Sequence, residues 1–160
     1  MKRTIAFILL AVLMAAPAGA KASWMINQNY EPTCFDRACH AAVVKTYSAN
    51  NKTTDSAAAA TAIATGHKTN NSMLGMLPDG TKPSSIAELA QDKGLSTGIV
   101  VTSYVLDATP GGFYAHVDNR GKKKEIAEDL IEFKPDVIVG GGRKYFTEKK
   151  YTDENLVEKA

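Results

Sequence analysis

Ser56 is the residue of this sequence whose neighbours are best suited to chemistry. It follows Asp55 and precedes a run of small helix formers that ends at Gly66. Asp and Ser are favoured helix caps, alanine is the best helix former and glycine commonly ends helices, so the run predicts a helix that starts at Ser56. The free N–H groups of such a helix end favour an anion such as phosphate beside the hydroxyl. The alternative is a capped, alanine-rich core helix with no catalytic role.

Two separated segments carry the other candidate site residues. They read TDSAAAATAIATGHKTNN over residues 54–71 and LDATPGGFYAHVDNR over residues 106–120. Both closely resemble the alkaline phosphatase family, and the similarity extends over residues 45–146. The resemblance implies that Ser56 is the serine that becomes phosphorylated and that Asp55 helps to hold a phosphate-binding arginine. Arg120 matches that arginine, whose planar fork of donors suits two phosphate oxygens.

The same resemblance implies metal chemistry. Asp107 and Thr109 match the magnesium-side pair of the family, and two zinc ions activate the serine and then a water during hydrolysis of a phosphate monoester. Residues 24–30 lack the Gly-Asp-Gly motif that bridges zinc and magnesium in relatives, and the other zinc ligands of relatives lie far beyond residue 160. We assign no metal role to His67 or His116. We therefore expect an N-terminal portion of the fold with an incomplete zinc site and impaired activity.

The resemblance also bears on partners and on the competing functions. It implies a phosphate monoester substrate and a homodimer. Sulfate-ester or diester cleavage is the alternative within the enzyme class, but the sulfatase cysteine motif is absent. An exported, non-catalytic anion-binding domain that keeps Ser56 and Arg120 is a second hypothesis.

Alternating strands and helices must position these residues. We predict strands over residues 41–47, 97–102 and 136–139, and helices over residues 56–65, 84–93, 111–117 and 122–133. The strand over residues 97–102 is continuous and β-branched, which is typical of a strand buried on both faces. The order indicates an α/β fold, a partial three-layer sandwich with a mainly parallel sheet that is alkaline-phosphatase-like. Ligands in such folds bind at the carboxyl ends of the strands, where the loop with Asp107 and Thr109 is expected.

Four details of these elements are also predicted. Ile86, Leu89 and Ala90 should be the buried face of one helix, and Ile126, Leu130 and Phe133 that of another. Pro110 should hold Thr109 in an extended backbone. The three glycines of residues 140–142 are interpreted as a tight turn after a strand. Residues 122–124 are three lysines that we interpret as a solvated helix face.

The beginning of the chain predicts export. Lys2 and Arg3 precede an apolar run over residues 5–16, and Ala18 and Ala20 offer a cleavage site, which together form a secretory signal peptide. The run is too short for a membrane span of roughly 20 residues. We divide the chain into a signal peptide (1–20), a divergent segment (21–44) and a partial alkaline-phosphatase-like α/β domain (45–160), located in the periplasm or outside the cell. The net charge of +2 gives no indication of nucleic-acid binding.

Two cysteines leave further alternatives open. Cys34 and Cys39 can close a small disulfide loop in an oxidising compartment, or they remain free thiols. With His40 they also form a widened version of a haem-attachment motif, which would indicate a small redox protein instead.

Overall fold

The computed structural model describes residues 44–152 and 155–158. Within these ranges the chain alternates helices with two strands. In order, these are α1 (Ser56–Thr65), α2 (Ile86–Asp92), β1 (Gly98–Tyr104), α3 (Ala108–Gly111), α4 (Lys123–Phe133), β2 (Val137–Gly141) and α5 (Lys144–Thr147). Cys34, Cys39, His40 and the predicted signal peptide lie outside the described residues.

Helix α1 forms as its sequence predicts. The Asp55 carboxylate accepts a hydrogen bond from the Ala58 N–H, which satisfies one of the free donors at the helix N-terminus. At the other end Gly66 adopts a left-handed conformation, with φ of 77°, and its N–H bonds to the Ala62 carbonyl. The buried face consists of small residues, which lets other backbone segments approach the helix closely. These are Ala57, Ala58, Ala60, Thr61 and Ala64.

Helix α2 is present, but its predicted buried face is wrong. Ser85 and Glu88 form a capping box, in which each side chain bonds to the other residue's backbone N–H and fixes the start of the helix. Ile86 and Leu89 are 48% and 49% exposed, whereas Ala87 packs against the core. The side of α2 that meets the core is therefore set by Ala87, and the larger aliphatic side chains point away from the described part of the chain.

Strands β1 and β2 are parallel, as predicted. Gly98, Ile99 and Val100 pair with Val137, Ile138 and Val139, and the connection between the strands contains α3 and α4. The prediction that β1 is buried on both faces is wrong, because only Ile99 is buried and Val100 is 70% exposed. Every residue of β2 is exposed as well. Parallel strands are usually covered on both faces, and the described residues cover this pair only in part.

The core lies beneath α4 and the loops that lead to it. Ile126, Leu130 and Phe133 are buried, as predicted, and they pack with Leu106 and Tyr114. The hydroxyl of Tyr114 donates a 2.7 Å hydrogen bond to the Val105 carbonyl. This anchors the segment after α3 to the end of β1.

Two predicted elements differ in the structure. Residues 44–47 form no strand; the chain turns after them, where the Ser48 N–H bonds to the Asn51 carbonyl. Residues 41–43 lie outside the described part. The helix expected over residues 111–117 begins earlier, at Ala108, and ends at Gly111, because Asp107 supplies an N-cap that we had not assigned to it.

The glycines of residues 140–142 also differ from the prediction in part. Gly140 and Gly141 belong to β2, and only Gly142, with φ of 105°, makes the turn. Within the described ranges, no helix is long and apolar enough to cross a bilayer.

Candidate active site

Ser56 lies at the first position of α1, directly after the Asp55 cap. Its hydroxyl oxygen accepts a 2.7 Å hydrogen bond from Nη1 of Arg120. Arginine can only donate, so the Ser56 oxygen is the acceptor in this pair. A fixed positive charge beside a hydroxyl oxygen favours its deprotonated form, which is the more nucleophilic one.

Arg120 contacts three of the other four predicted site residues. Nη2 donates a 3.0 Å hydrogen bond to Oδ1 of Asp107, and Nη1 lies 3.8 Å from Oδ2 of Asp55. The Arg120 side chain is 33% exposed, so it is reachable from solvent while both ends of its fork are held. The two carboxylates therefore fix the plane of the guanidinium beside Ser56.

Backbone pairing between two segments of the chain positions Arg120. Leu74 and Val117 form an isolated antiparallel bridge, with mutual hydrogen bonds of 2.9 Å. Further along, the Arg120 N–H donates a 2.7 Å bond to the Ser72 carbonyl. The segment after α1 and the segment after α3 are thus paired, which brings together residues that are 64 positions apart in the chain.

Asp107 and Thr109 lie at the start of α3, three and five residues after β1 ends at Tyr104. Asp107 caps this helix, since its Oδ1 accepts a 2.8 Å bond from the Ala108 N–H. Thr109 is helical, so the prediction of an extended backbone before Pro110 is wrong. A proline within the first helical turn is tolerated because its missing N–H would have no intrahelical partner. Thr109 takes no part in the hydrogen bonds around Arg120.

Lys123 is a site residue that the sequence analysis missed. Its ammonium group donates a 2.9 Å hydrogen bond to the Leu106 carbonyl and lies 5.2 Å from the centre of the Tyr104 ring. Burial lowers the pKa of Lys123, and the nearby Arg120 charge acts in the same direction, against the attraction of Asp107. Of the three lysines that we interpreted as a solvated face, this one instead turns towards the site. Its position three residues after Arg120 was the available signal.

The two described histidines lie away from this constellation. Nδ1 of His67 is 2.8 Å from the Thr65 carbonyl. His116 is not in a helix; its ring nitrogens are 2.6 Å from the Gly75 carbonyl and 2.8 Å from Oε1 of Glu88. In residues 44–152 and 155–158, no group of three or more His, Cys, Asp or Glu side chains is arranged to hold a metal ion.

Comparison with known proteins identifies the family. The family model described as alkaline phosphatase matches residues 15–159. Alkaline phosphatase 4 of Bacillus subtilis is 42% identical over 111 residues, which cover 66% of this chain and 23% of that protein. Alkaline phosphatase 3 of the same organism is 38% identical over 136 residues, which cover 80% of this chain and 29% of that protein.

Solved structures agree with this assignment. The alkaline phosphatase of the Antarctic bacterium TAB5 superposes with a TM-score of 0.78 at 36% identity, over 86% of this chain and 40% of that one. A mutant of the TAB5 enzyme, solved with Mg bound, gives a TM-score of 0.78 at 38% identity. The predicted alkaline-phosphatase-like α/β fold is therefore confirmed, and the chain spans less than half the length of these relatives. This chain belongs to the alkaline phosphatase family.

Proposed function

We propose that this chain hydrolyses phosphate monoesters through a phosphoserine at Ser56, with an activity that is impaired by its incomplete zinc site. The observation that carries the proposal is the single guanidinium that holds the Ser56 hydroxyl at 2.7 Å and the Asp107 carboxylate at 3.0 Å, beside the N-terminus of a ten-residue helix. The described relatives named alkaline phosphatase support the same reaction class.

Binding of the phosphate group is the first step. Its non-bridging oxygens match the donors of Arg120, whose fork is exposed on one side. The first N–H groups of α1 and its dipole add further attraction for the anion. Lys123 contributes a second positive charge near Asp107 and Arg120. Two cationic side chains therefore balance the charges of the two carboxylates, Asp55 and Asp107.

Transfer to the serine follows. A bond forms between the Ser56 oxygen and phosphorus while the ester P–O bond breaks, and the alcohol leaves with a proton. Water then attacks the phosphoserine, which releases inorganic phosphate and restores the hydroxyl. Arg120 stabilises the charge that develops on the phosphate oxygens in both steps, and it needs no rearrangement because Asp107 already orients it.

We propose that Asp107 and Thr109 would hold magnesium, whereas the described residues offer no zinc site. Asp107 and Thr109 offer oxygen donors, and Mg²⁺ typically binds one or two carboxylates together with water and substrate phosphate. When bound there, Mg²⁺ would supply positive charge that stabilises the phosphate group. A zinc centre needs three or four ligands, and the described residues hold no such group. They therefore do not fit a two-zinc centre.

The remaining proposals concern location and assembly. We infer export to the periplasm or the outside of the cell from the basic residues Lys2 and Arg3, the apolar run after them and the Ala18 and Ala20 cleavage site. We also propose a homodimer, as the resemblance to the family implies.

Hydrolysis of p-nitrophenyl phosphate in the presence of magnesium and zinc tests the function. We compare the unmodified chain with Ser56→Ala and with Ser84→Ala, a matched control at an exposed serine. The expected result is activity that disappears only in Ser56→Ala, together with acid-stable phosphate on Ser56. Calorimetry with inorganic phosphate tests the second candidate function, a non-catalytic anion-binding protein. Phosphate binding that requires Arg120, without turnover, would identify such a protein and refute the phosphatase.

A further inference from the structure

Asn71, the last residue of the first family segment, and Ser72, which follows it, connect the two halves of the site. Asn71 and Ser72 lie in the loop after α1, and their hydrogen bonds reach both the residues before Ser56 and the backbone of Arg120. We propose that this Asn71–Ser72 clasp positions the Ser56 nucleophile against Arg120, and that Asn71 is a positioning residue for the reaction. The inference rests on the proposed function, because it concerns the same site.

The Asn71 side chain bonds on both sides of Thr54. Its Nδ2 donates a 3.0 Å bond to the Thr53 carbonyl, and its Oδ1 accepts a 3.1 Å bond from the Asp55 N–H. One amide thus fixes the last turn of the chain before α1. The amide carries both the donor and the acceptor that this pair of bonds requires.

The backbone of Ser72 continues the connection. Its N–H donates a 2.9 Å bond to Oδ2 of Asp55, and its carbonyl accepts the 2.7 Å bond from the Arg120 N–H. Ser72 has φ of 75°, a left-handed conformation that is uncommon for a residue other than glycine. Such backbone strain persists where surrounding bonds determine the conformation, and it is frequent at functional sites.

Together these bonds form a continuous route between the two catalytic groups. It runs from the Asp55 cap through Ser72 to the backbone of Arg120, whose side chain returns to the Ser56 hydroxyl. Asn71 is the member whose side chain can be replaced while Asp55, Ser56 and Arg120 keep their own side chains. Its backbone N–H donates a 2.9 Å bond to Oδ1 of Asn50, and this bond does not use the Asn71 side chain.

The test compares Asn71→Ala and Asn71→Asp with Asn51→Ala in the full chain. Asn51 lies in the polar loop before α1, and its Oδ1 accepts a bond from the Thr53 N–H, but it reaches neither Asp55 nor Arg120. Asn71→Asp keeps the acceptor for the Asp55 N–H. It replaces the donor to the Thr53 carbonyl with a carboxylate oxygen, which cannot donate a hydrogen bond. Because small misplacements of reacting groups cost about a hundredfold in rate, we expect kcat to fall about ten- to hundredfold in both Asn71 variants, with a smaller change in KM, and to stay unchanged in Asn51→Ala.

Hydrogen exchange of backbone amides separates this inference from the proposed function. In the unmodified chain the amides of Asp55, Ser72 and Arg120 should be protected; in Asn71→Ala all three should lose protection together, while those of Leu74 and Val117 keep it. This pattern is measurable even in a chain without turnover. Asn71 variants that match Asn51→Ala in kcat, or in exchange at these three amides, would overturn the inference. Loss of protection throughout the fold would do so too, since Asn71 would then be merely structural.

Discussion

Replacement of Gly112 by alanine should weaken both the fold and the site, although the backbone conformation there permits alanine. Gly112 has φ of −62° and ψ of −10°, which is ordinary right-handed helical geometry. In such a position alanine usually stabilises a protein by about 0.4–1 kcal/mol, because it restricts the unfolded chain. Here a Cβ would lie 2.7 Å from Cβ of Ala60 and 3.0 Å from the Thr61 nitrogen in α1.

The magnitude follows from this close approach. Non-bonded carbon atoms prefer separations of about 3.5–4.0 Å, so α1 and the segment after α3 must move apart by about 1 Å. Overpacking of this kind costs about 1–3 kcal/mol, which reverses the sign expected from backbone entropy alone. Ser56 is on α1 and Asp107 caps α3, so a shift of this size breaks one of the two Arg120 hydrogen bonds of 2.7 and 3.0 Å.

Urea unfolding and phosphate calorimetry measure the two effects. Gly98→Ala is the matched control, because a Cβ there would meet Cβ of Val137 at 3.4 Å, which is an ordinary contact. We expect Gly112→Ala to lower the free energy of unfolding and to weaken phosphate binding, and Gly98→Ala to do neither. A Gly112→Ala chain that is as stable as the unmodified one and binds phosphate equally would refute the close approach of these helices.

Three further predictions follow from single contacts. Asp55→Ala should cost about 1 kcal/mol of stability through loss of the helix cap. Asp55→Asn should cost less, because its amide oxygen keeps the cap but its NH₂ group cannot accept the Ser72 N–H bond, and it should weaken phosphate binding; denaturation and calorimetry on both variants check this. Tyr114→Phe should cost about 1 kcal/mol at neutral pH, because the buried Val105 carbonyl loses its donor. Burial raises the pKa of Tyr114 above its usual 10.0, so above pH 10 the unfolded chain releases this proton first and stability falls; unfolding at several alkaline pH values should give a shallower fall in Tyr114→Phe. Gly75→Ala should prevent normal folding, as judged by circular dichroism, because φ is 53° and a Cβ would lie 2.1 Å from the Ala115 carbonyl oxygen.

Local sequence signals predicted the parts of the site that depend on short-range chemistry. The cap at Asp55, the alanine run and Gly66 fixed α1 almost to the residue, because each acts within a few positions of the chain. The same reasoning missed the Asp107 cap, although Asp followed by Ala, Thr and Pro is a plausible helix start. We predicted an extended residue before Pro110 and therefore did not assign Asp107 as a helix cap.

Contacts between distant segments were beyond the reach of pattern reasoning. The turn of Lys123 towards Leu106 and the bonds of Asn71 to residues 53 and 55 depend on how segments pair in space. The exposure of Ile86 and Leu89 has the same origin, since helical periodicity identifies an apolar face without saying which neighbour meets it. Only the resemblance to a family connected Ser56 with Arg120 before the structure was known.

The exposed aliphatic side chains of the two-stranded sheet have a practical consequence for handling the protein. Val100, Val137, Ile138 and Val139 present apolar surface to water on strands whose edges can pair with other chains. Self-association in concentrated solution should therefore begin at the sheet, whereas the hydrogen bonds of the site are built on α1, α3 and the loops after them. A Val100→Thr substitution should make the sheet more polar while leaving every contact of Arg120 in place, so self-association and the Arg120 contacts can be altered independently in this chain.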